Sequence, residues 1–290
     1  MTHKDHKPAA ADKTQPASDN RHDESFLGAE VVEEEVVEGA KVRRRGVYLL
    51  PNLFTTGALF SGFYAIVAAM NGHFENASIA IFVSMILDGL DGRVARMTNT
   101  QSAFGAEYDS LADMVSFGVA PALVAFTWAL SDLGKLGWVA AFIYVAGAAL
   151  RLARFNTQIG SVDKRFFVGL PSPSAAAVVA GTVWSFHEFE MNLLLAYASV
   201  VVVAGAGVLM VSNILFHSFK ELDLKGRVPF VAILIVVLIY AVIATAPAQV
   251  LLAGFLIYTL SGPFLSLQRW NKKRRALPVT SQNSSSSKDS

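Results

Sequence analysis

DGLDGRVARMTNTQSAFGAEYDSLAD, residues 88–113, sets four aspartates, three glycines and two arginines between two strongly apolar runs. Asp88 and Asp91 close the run ASIAIFVSMIL, and Asp109 and Asp113 precede VSFGVAPALVAFTWAL. Carboxylates at the edge of a membrane are costly, so they persist mainly where they have partners or a task. Helix geometry makes this cluster converge. Asp88 and Asp91 are spaced to share a helix face, with Gly92 beside them, and Gly105, Asp109 and Asp113 recur every fourth residue on the next helix. Two facing helix ends thus bring four carboxylates and two glycines together.

Carboxylates that close cannot all carry bare charge, so protons or metal ions must neutralise them. A donor set of oxygens without His or Cys favours a hard cation, Mg2+ or Mn2+. Four acids suffice for two such ions, an arrangement suited to phosphoryl chemistry. The glycines allow a nucleotide close to the backbone, and arginine can neutralise phosphate oxygens.

The rest of the chain is built to hold this cluster in a bilayer. Of 290 residues, 53% are hydrophobic and 16% charged, and the mean hydropathy is +0.44. With no cysteine the chain has neither disulfides nor a thiolate site. A crossing needs about 20 mostly apolar residues. Eight runs qualify, at roughly 47–70, 75–97, 105–130, 136–155, 172–189, 192–216, 228–246 and 248–267. The connections alternate in charge: eighteen Lys and Arg fall on one side, and only Lys135 on the other. That bias is the positive-inside pattern, and it predicts cytoplasmic termini and a cytoplasmic aspartate cluster. Six crossings would hold if the last two runs formed a re-entrant pair.

Residues 1–40 read as a disordered polar and acidic arm, within which EVVEEEVVEG could form a short helix. KVRRR (41–45) is expected to flank the first span, 41–275 to form the membrane domain, and 276–290 to be a disordered tail. RWNKKRR (269–275) suits an anionic leaflet rather than nucleic acid.

Asp88-x-x-Asp91-Gly92-x-x-Ala95-Arg96, then eight residues, then Gly105-x-x-x-Asp109-x-x-x-Asp113, resembles the complete signature of the CDP-alcohol phosphatidyltransferases. The resemblance implies two divalent cations on Asp88, Asp91, Asp109 and Asp113, with Asp113 also the general base. It implies a CDP site lined by Gly92, Arg96 and Gly105. PNLFTTGALFSGFYAI (51–66), RLARFN (151–156), FVGLPSPSAAA (167–177) and SFKELDLKGRVPF (218–230) resemble the bacterial integral-membrane phosphatidylserine synthases of that family. Ala58 departs from them, standing where Asn is frequent.

The expected protein is therefore an all-α polytopic bundle of about eight spans, a six-helix catalytic core plus two C-terminal helices. By resemblance it sits in a bacterial inner membrane as a homodimer and transfers a phosphatidyl group from CDP-diacylglycerol to L-serine. Arg151 and Arg154 are candidates for the substrate anions. Asn52 and Thr55 either face the nucleotide or cap the first helix. Arg93 reads as a solvated charge, and His73, His187 and His217 are isolated. The aspartate motif alone leaves other acceptors open: glycerol phosphate, inositol phosphate or choline. A divalent-cation transporter is the rival from another class.

Overall fold

The computed structural model describes residues 32–37, 40–45, 49–98, 102–157, 166–217 and 230–276. The chain divides into two compact units, Met1–Val47 and Tyr48–Ser290.

In the first unit, β1 (Val32–Val37) pairs antiparallel with β2 (Ala40–Arg45). This corrects the expected short helix in EVVEEEVVEG and places KVRRR in a strand. β-branched valines favour extended backbone. The register also sets Glu33 opposite Arg44 and Glu34 opposite Arg43, and unlike charges at opposed positions favour pairing. Residues 1–31 and 277–290, expected to be disordered, lie outside the described residues.

The second unit is a helical bundle. Helix α1 (Leu49–Met70) carries Pro51 in its first turn, where a missing N–H is tolerated. A turn through Gly72, at φ 77°, leads into α2 (Phe74–Met97). Helix α3 (Ala103–Asp113) starts on Ser102, whose hydroxyl accepts from the Gly105 N–H. It runs on through a π-turn at Met114–Val119, then α4 (Ala120–Ala125) and a second π-turn at Phe126–Leu130. Together these make one rod of 31 residues, Ala103–Leu133. Helix α5 (Lys135–Thr157) follows, then α6 (Ser172–Phe186), α7 (Leu193–Val211), α8 (Phe230–Thr245) and α9 (Pro247–Ala276). Two short strands, β3 (Phe166–Val168) and β4 (Leu215–His217), pair antiparallel and join the chain before α6 to the chain after α7.

Over the described residues each of the eight apolar runs holds a helix or a helical rod, but the sixth, expected over 192–216, leaves the helix after Val211 and ends in β4. Among the described residues, five have the length and apolarity to cross a membrane: Pro51–Met70, Ala103–Leu133, Lys135–Thr157, Leu193–Val211 and Pro247–Ser266. The remaining three differ for physical reasons. Helix α2 carries Glu75, Asp88, Asp91, Arg93 and Arg96, while α6 and α8 have 15 and 16 residues, short of the ~20 that span a bilayer core. The molecule is a multi-pass helical membrane protein.

Small residues bring the helices close. Ala65, Ala68, Ala69, Ala77, Ala80, Ala120, Ala148, Ala175, Ala176 and Ala180 are all buried. Helices α5 and α7 meet backbone to backbone, since a Cβ at Gly147 would strike the Gly207 carbonyl and one at Gly207 would lie 2.7 Å from the Tyr144 Cα. The small-residue segments GAA and GAGV therefore pack against each other within one chain. Hydroxyls reinforce the contact of α1 with its neighbours: Ser84 and Ser116 both donate to the Ala58 carbonyl, at 2.8 and 3.1 Å, and Ser61 donates to the Ala80 carbonyl at 2.7 Å. The role of position 58 is thus carried by its backbone oxygen, for which alanine suffices.

Candidate active site

Helix α1 packs along α2 and against α3, so the start of α1 meets the end of α2 and the first turns of α3. All four aspartates gather there. Asp88, Asp91 and Asp109 each offer a carboxylate oxygen, and these oxygens lie within 4.8 Å of one another. Asp113 lies beside Asp88, close enough for their carboxyl groups to interact. Asp91 is buried, at 6% exposure, and the others are half-buried.

Thr55 orients Asp91. Its hydroxyl donates to Asp91 Oδ2 at 2.9 Å, with the Pro51 carbonyl of its own helix at 3.2 Å. A serine or threonine hydroxyl returning to the i−4 carbonyl is common in helices, but here it also fixes a carboxylate of the cluster. Beside the two roles expected for Thr55, nucleotide contact or helix cap, the structure adds a hydrogen bond to Asp91. Asn52, one turn earlier, borders the site: a Cβ on Gly105 would lie 3.6 Å from its Oδ1. The same Cβ would come within 3.0 Å of the Ser102 hydroxyl that caps α3, so Gly105 keeps this helix start open. The π-turn that begins at Met114 immediately follows Asp113, and π-turns are frequent beside functional side chains.

The arginines divide. Arg151 of α5 reaches the cluster, within electrostatic range of Asp113 and Asp88, and its Nη1 donates to the Ser172 hydroxyl at 2.6 Å. Arg154 instead donates to Asn213 Oδ1 at 3.3 Å, just before β4. Arg96 folds along its own helix, its Nε donating to the Gly92 carbonyl at 2.8 Å. Its Nη2 would sit 3.9 Å from a Cβ on Gly92, so the glycine leaves that guanidinium uncovered. Arg93 is exposed, as a solvated charge should be.

The donor set fits hard divalent cations. Its candidate ligand atoms are carboxylate oxygens, close enough to share an ion, and among the described residues four acids beside the guanidinium of Arg151 leave an excess of negative charge.

Sequence reasoning missed Ser172 and Tyr258. Ser172 lies within the segment FVGLPSPSAAA between two prolines, and nothing in its local spacing marks its hydroxyl. Tyr258 sits in an apolar helix, where an aromatic reads as lining for the membrane interface.

Residues 48–210 match the family described as CDP-alcohol phosphatidyltransferase, more than half of the chain. The chain belongs to that family. The matched region of this CDP-alcohol phosphatidyltransferase family member runs from the start of α1 to the end of α7 and contains the whole aspartate cluster. A CDP-diacylglycerol–serine O-phosphatidyltransferase of Helicobacter pylori is 40% identical over 215 residues, covering 73% of this chain and 90% of that one. A protein of the same name from Mycobacterium leprae is 34% identical over 237 residues, 78% of each chain. Another from Bacillus subtilis is 34% identical over 172 residues, 59% of this chain and 92% of its own. Family members of this kind depend on metal ions, in keeping with the three-carboxylate cluster.

Proposed function

We propose that the protein transfers the phosphatidyl group of CDP-diacylglycerol to the hydroxyl of L-serine, giving phosphatidylserine and CMP. The observation that carries this reading is the convergence of Asp88, Asp91 and Asp109 oxygens within 4.8 Å, with Asp113 interacting with Asp88 alongside. The serine-specific names of the relatives from Helicobacter pylori and Mycobacterium leprae support the choice of acceptor.

Asp88, Asp91, Asp109 and Asp113 would hold two divalent cations, Mg2+ or Mn2+. Bound there, such ions supply charge stabilisation to a diphosphate as its bridging P–O bond breaks. Asp113 takes the proton of the serine hydroxyl, for which it must come within hydrogen-bond reach. The freed oxygen forms a bond to the lipid-side phosphorus, the bond from that phosphorus to the bridging oxygen breaks, and CMP departs with the electron pair. Gly92, Gly105 and Asn52 leave room at the helix ends for the cytidine diphosphate, and Arg96 supplies positive charge beside it. Thr55 holds Asp91 in place. Arg151, within electrostatic range of Asp113 and Asp88, takes the acceptor's anion, with Arg154, turned to Asn213, in a secondary place. The aspartate end of the bundle faces the cytoplasm of a bacterial inner membrane, where a lipid donor and two water-soluble species can meet.

The test is CMP release by the full chain, purified in detergent, with CDP-diacylglycerol, Mn2+ or Mg2+ and one acceptor at a time. Release with L-serine and none with glycerol phosphate or inositol phosphate is expected. Release only with another acceptor would retain the aspartate chemistry and overturn the serine assignment. No release from folded protein would move the transporter reading ahead.

A further inference from the structure

The matched family domain ends at residue 210, yet a side chain from beyond it lies within electrostatic range of the Arg151 guanidinium. Tyr258 of α9 lies within electrostatic range of Arg151, as do Asp113 and Asp88. Arg151 also donates to Ser172, which is fully buried at the start of α6. The guanidinium therefore bridges two groups: the carboxylates of the reacting centre, and a hydroxyl-bearing wall made by α6 and α9.

That wall is held in place by close packing. Gly181 of α6 sits against Leu252 of α9, where an added Cβ would lie 3.3 Å from the Leu252 Cα. Further along α9, Gly262 makes room for the Phe216 ring, whose Cδ1 would be 2.8 Å from a Cβ there. Phe216 in turn packs on the Tyr258 ring, with centroids 5.8 Å apart. Strand β4 is thus wedged into α9 one turn from Tyr258. Gly169, at φ 83°, turns the partner strand back under α7, and its N–H donates to the Ile214 carbonyl at 2.8 Å. Strand β4, paired with β3, thus packs against the Tyr258 ring on α9.

Resting on the serine-transfer reading above, we propose that Tyr258, Ser172 and Arg151 form the subsite for the acceptor's carboxylate, and that α9 thereby sets acceptor selectivity. An amino acid attacking through its side-chain hydroxyl carries a carboxylate a few bonds from the reacting oxygen. With divalent cations on the aspartates, the charge of Arg151 is no longer consumed by Asp113 and Asp88. Its planar fork then accepts a carboxylate, and a phenol and a serine hydroxyl supply the further donors that such a group takes. The shared machinery of the aspartate motif handles the CDP moiety common to all donors. Discrimination between acceptors needs side chains outside that motif, and Tyr258 is one.

The experiment compares wild type, Tyr258→Phe and Ser172→Ala as full chains with Mn2+. KM for L-serine, KM for CDP-diacylglycerol and the preference for L-serine over L-serine amide are measured for each. Tyr258→Phe keeps the ring against Phe216 and removes only the hydroxyl. It should raise KM for L-serine roughly tenfold, as loss of a hydrogen bond to a charged group does. KM for CDP-diacylglycerol should stay within about twofold, and the preference over the uncharged amide should fall by a similar factor of roughly ten. Ser172→Ala should move in the same direction. Unchanged serine kinetics in both variants, or a rise confined to KM for CDP-diacylglycerol, would overturn the proposal; the latter would assign the subsite to the diphosphate. A wild-type protein that releases CMP with a different acceptor would overturn the serine-transfer reading itself, and is recognised before any variant is compared.

Discussion

Thr55 and Asp91, 36 residues apart in the chain, are joined by a hydrogen bond of 2.9 Å between the first turns of α1 and the last turns of α2. It ties the entry of one helix to a carboxylate of the aspartate cluster on its neighbour, and so restrains the Asp91 side chain. Groups that orient metal ligands from behind commonly contribute 10–100-fold to metal affinity or activity.

Thr55→Val should accordingly raise the Mn2+ concentration for half-maximal CMP release by about 10-fold or more, whereas Thr55→Ser should stay near wild type. A metal titration of activity in the three proteins reads this directly. Equal metal dependence in Thr55→Val would mean that the hydroxyl serves only its own helix.

Asp113→Asn should lower turnover by about 100- to 10,000-fold, the usual worth of a general base, while CDP binding persists. Calorimetric titration with CDP and Mn2+ separates the two effects. Near-normal turnover would assign proton removal to another group.

Chelation of divalent ions should abolish CMP release, and Mg2+ or Mn2+ should restore it. Asp88→Asn, Asp91→Asn and Asp109→Asn should each require more metal than wild type for what activity remains, because each removes charge from a set of ligands whose oxygens lie within 4.8 Å. Retention of full activity after exhaustive chelation would remove metal ions from the mechanism.

Gly147→Val should destabilise the bundle, because its side chain would enter the Gly207 backbone; overpacking of this kind costs about 1–3 kcal/mol. Gly205→Ala should be close to neutral, since nothing lies within 4 Å of a Cβ there. Thermal unfolding in detergent distinguishes the two. Equal midpoints would show that α5 and α7 separate more easily than their backbone contact suggests.

A chain without cysteine is suited to labelling from one side of the membrane. Single cysteines at Asn71 and Thr98, at opposite ends of α2, should react from opposite sides in intact cells, with Thr98 protected from impermeant reagent. Reaction of both from outside would contradict the orientation drawn from loop charge.

The class of fold and the acidic members of the site were legible from residue order because both rest on local regularities. Apolar runs of membrane length must satisfy their backbone internally and therefore form helices, and carboxylates three or four residues apart share a helix face whatever surrounds them. The aspartate quartet, the glycines beside it and the helical character of all eight runs follow from those rules. Tertiary structure decided the rest, because it depends on which helices touch. Thr55 had two plausible local roles and acquired a third through α2. Arg151 and Arg154, three residues apart and alike in sequence, part company because one meets Ser172 and the aspartates while the other meets Asn213. Tyr258 comes within electrostatic range of Arg151 across more than 100 residues of chain, a proximity no periodicity encodes. Local spacing determines what one helix presents; only packing decides which side chain from a distant helix comes to face it.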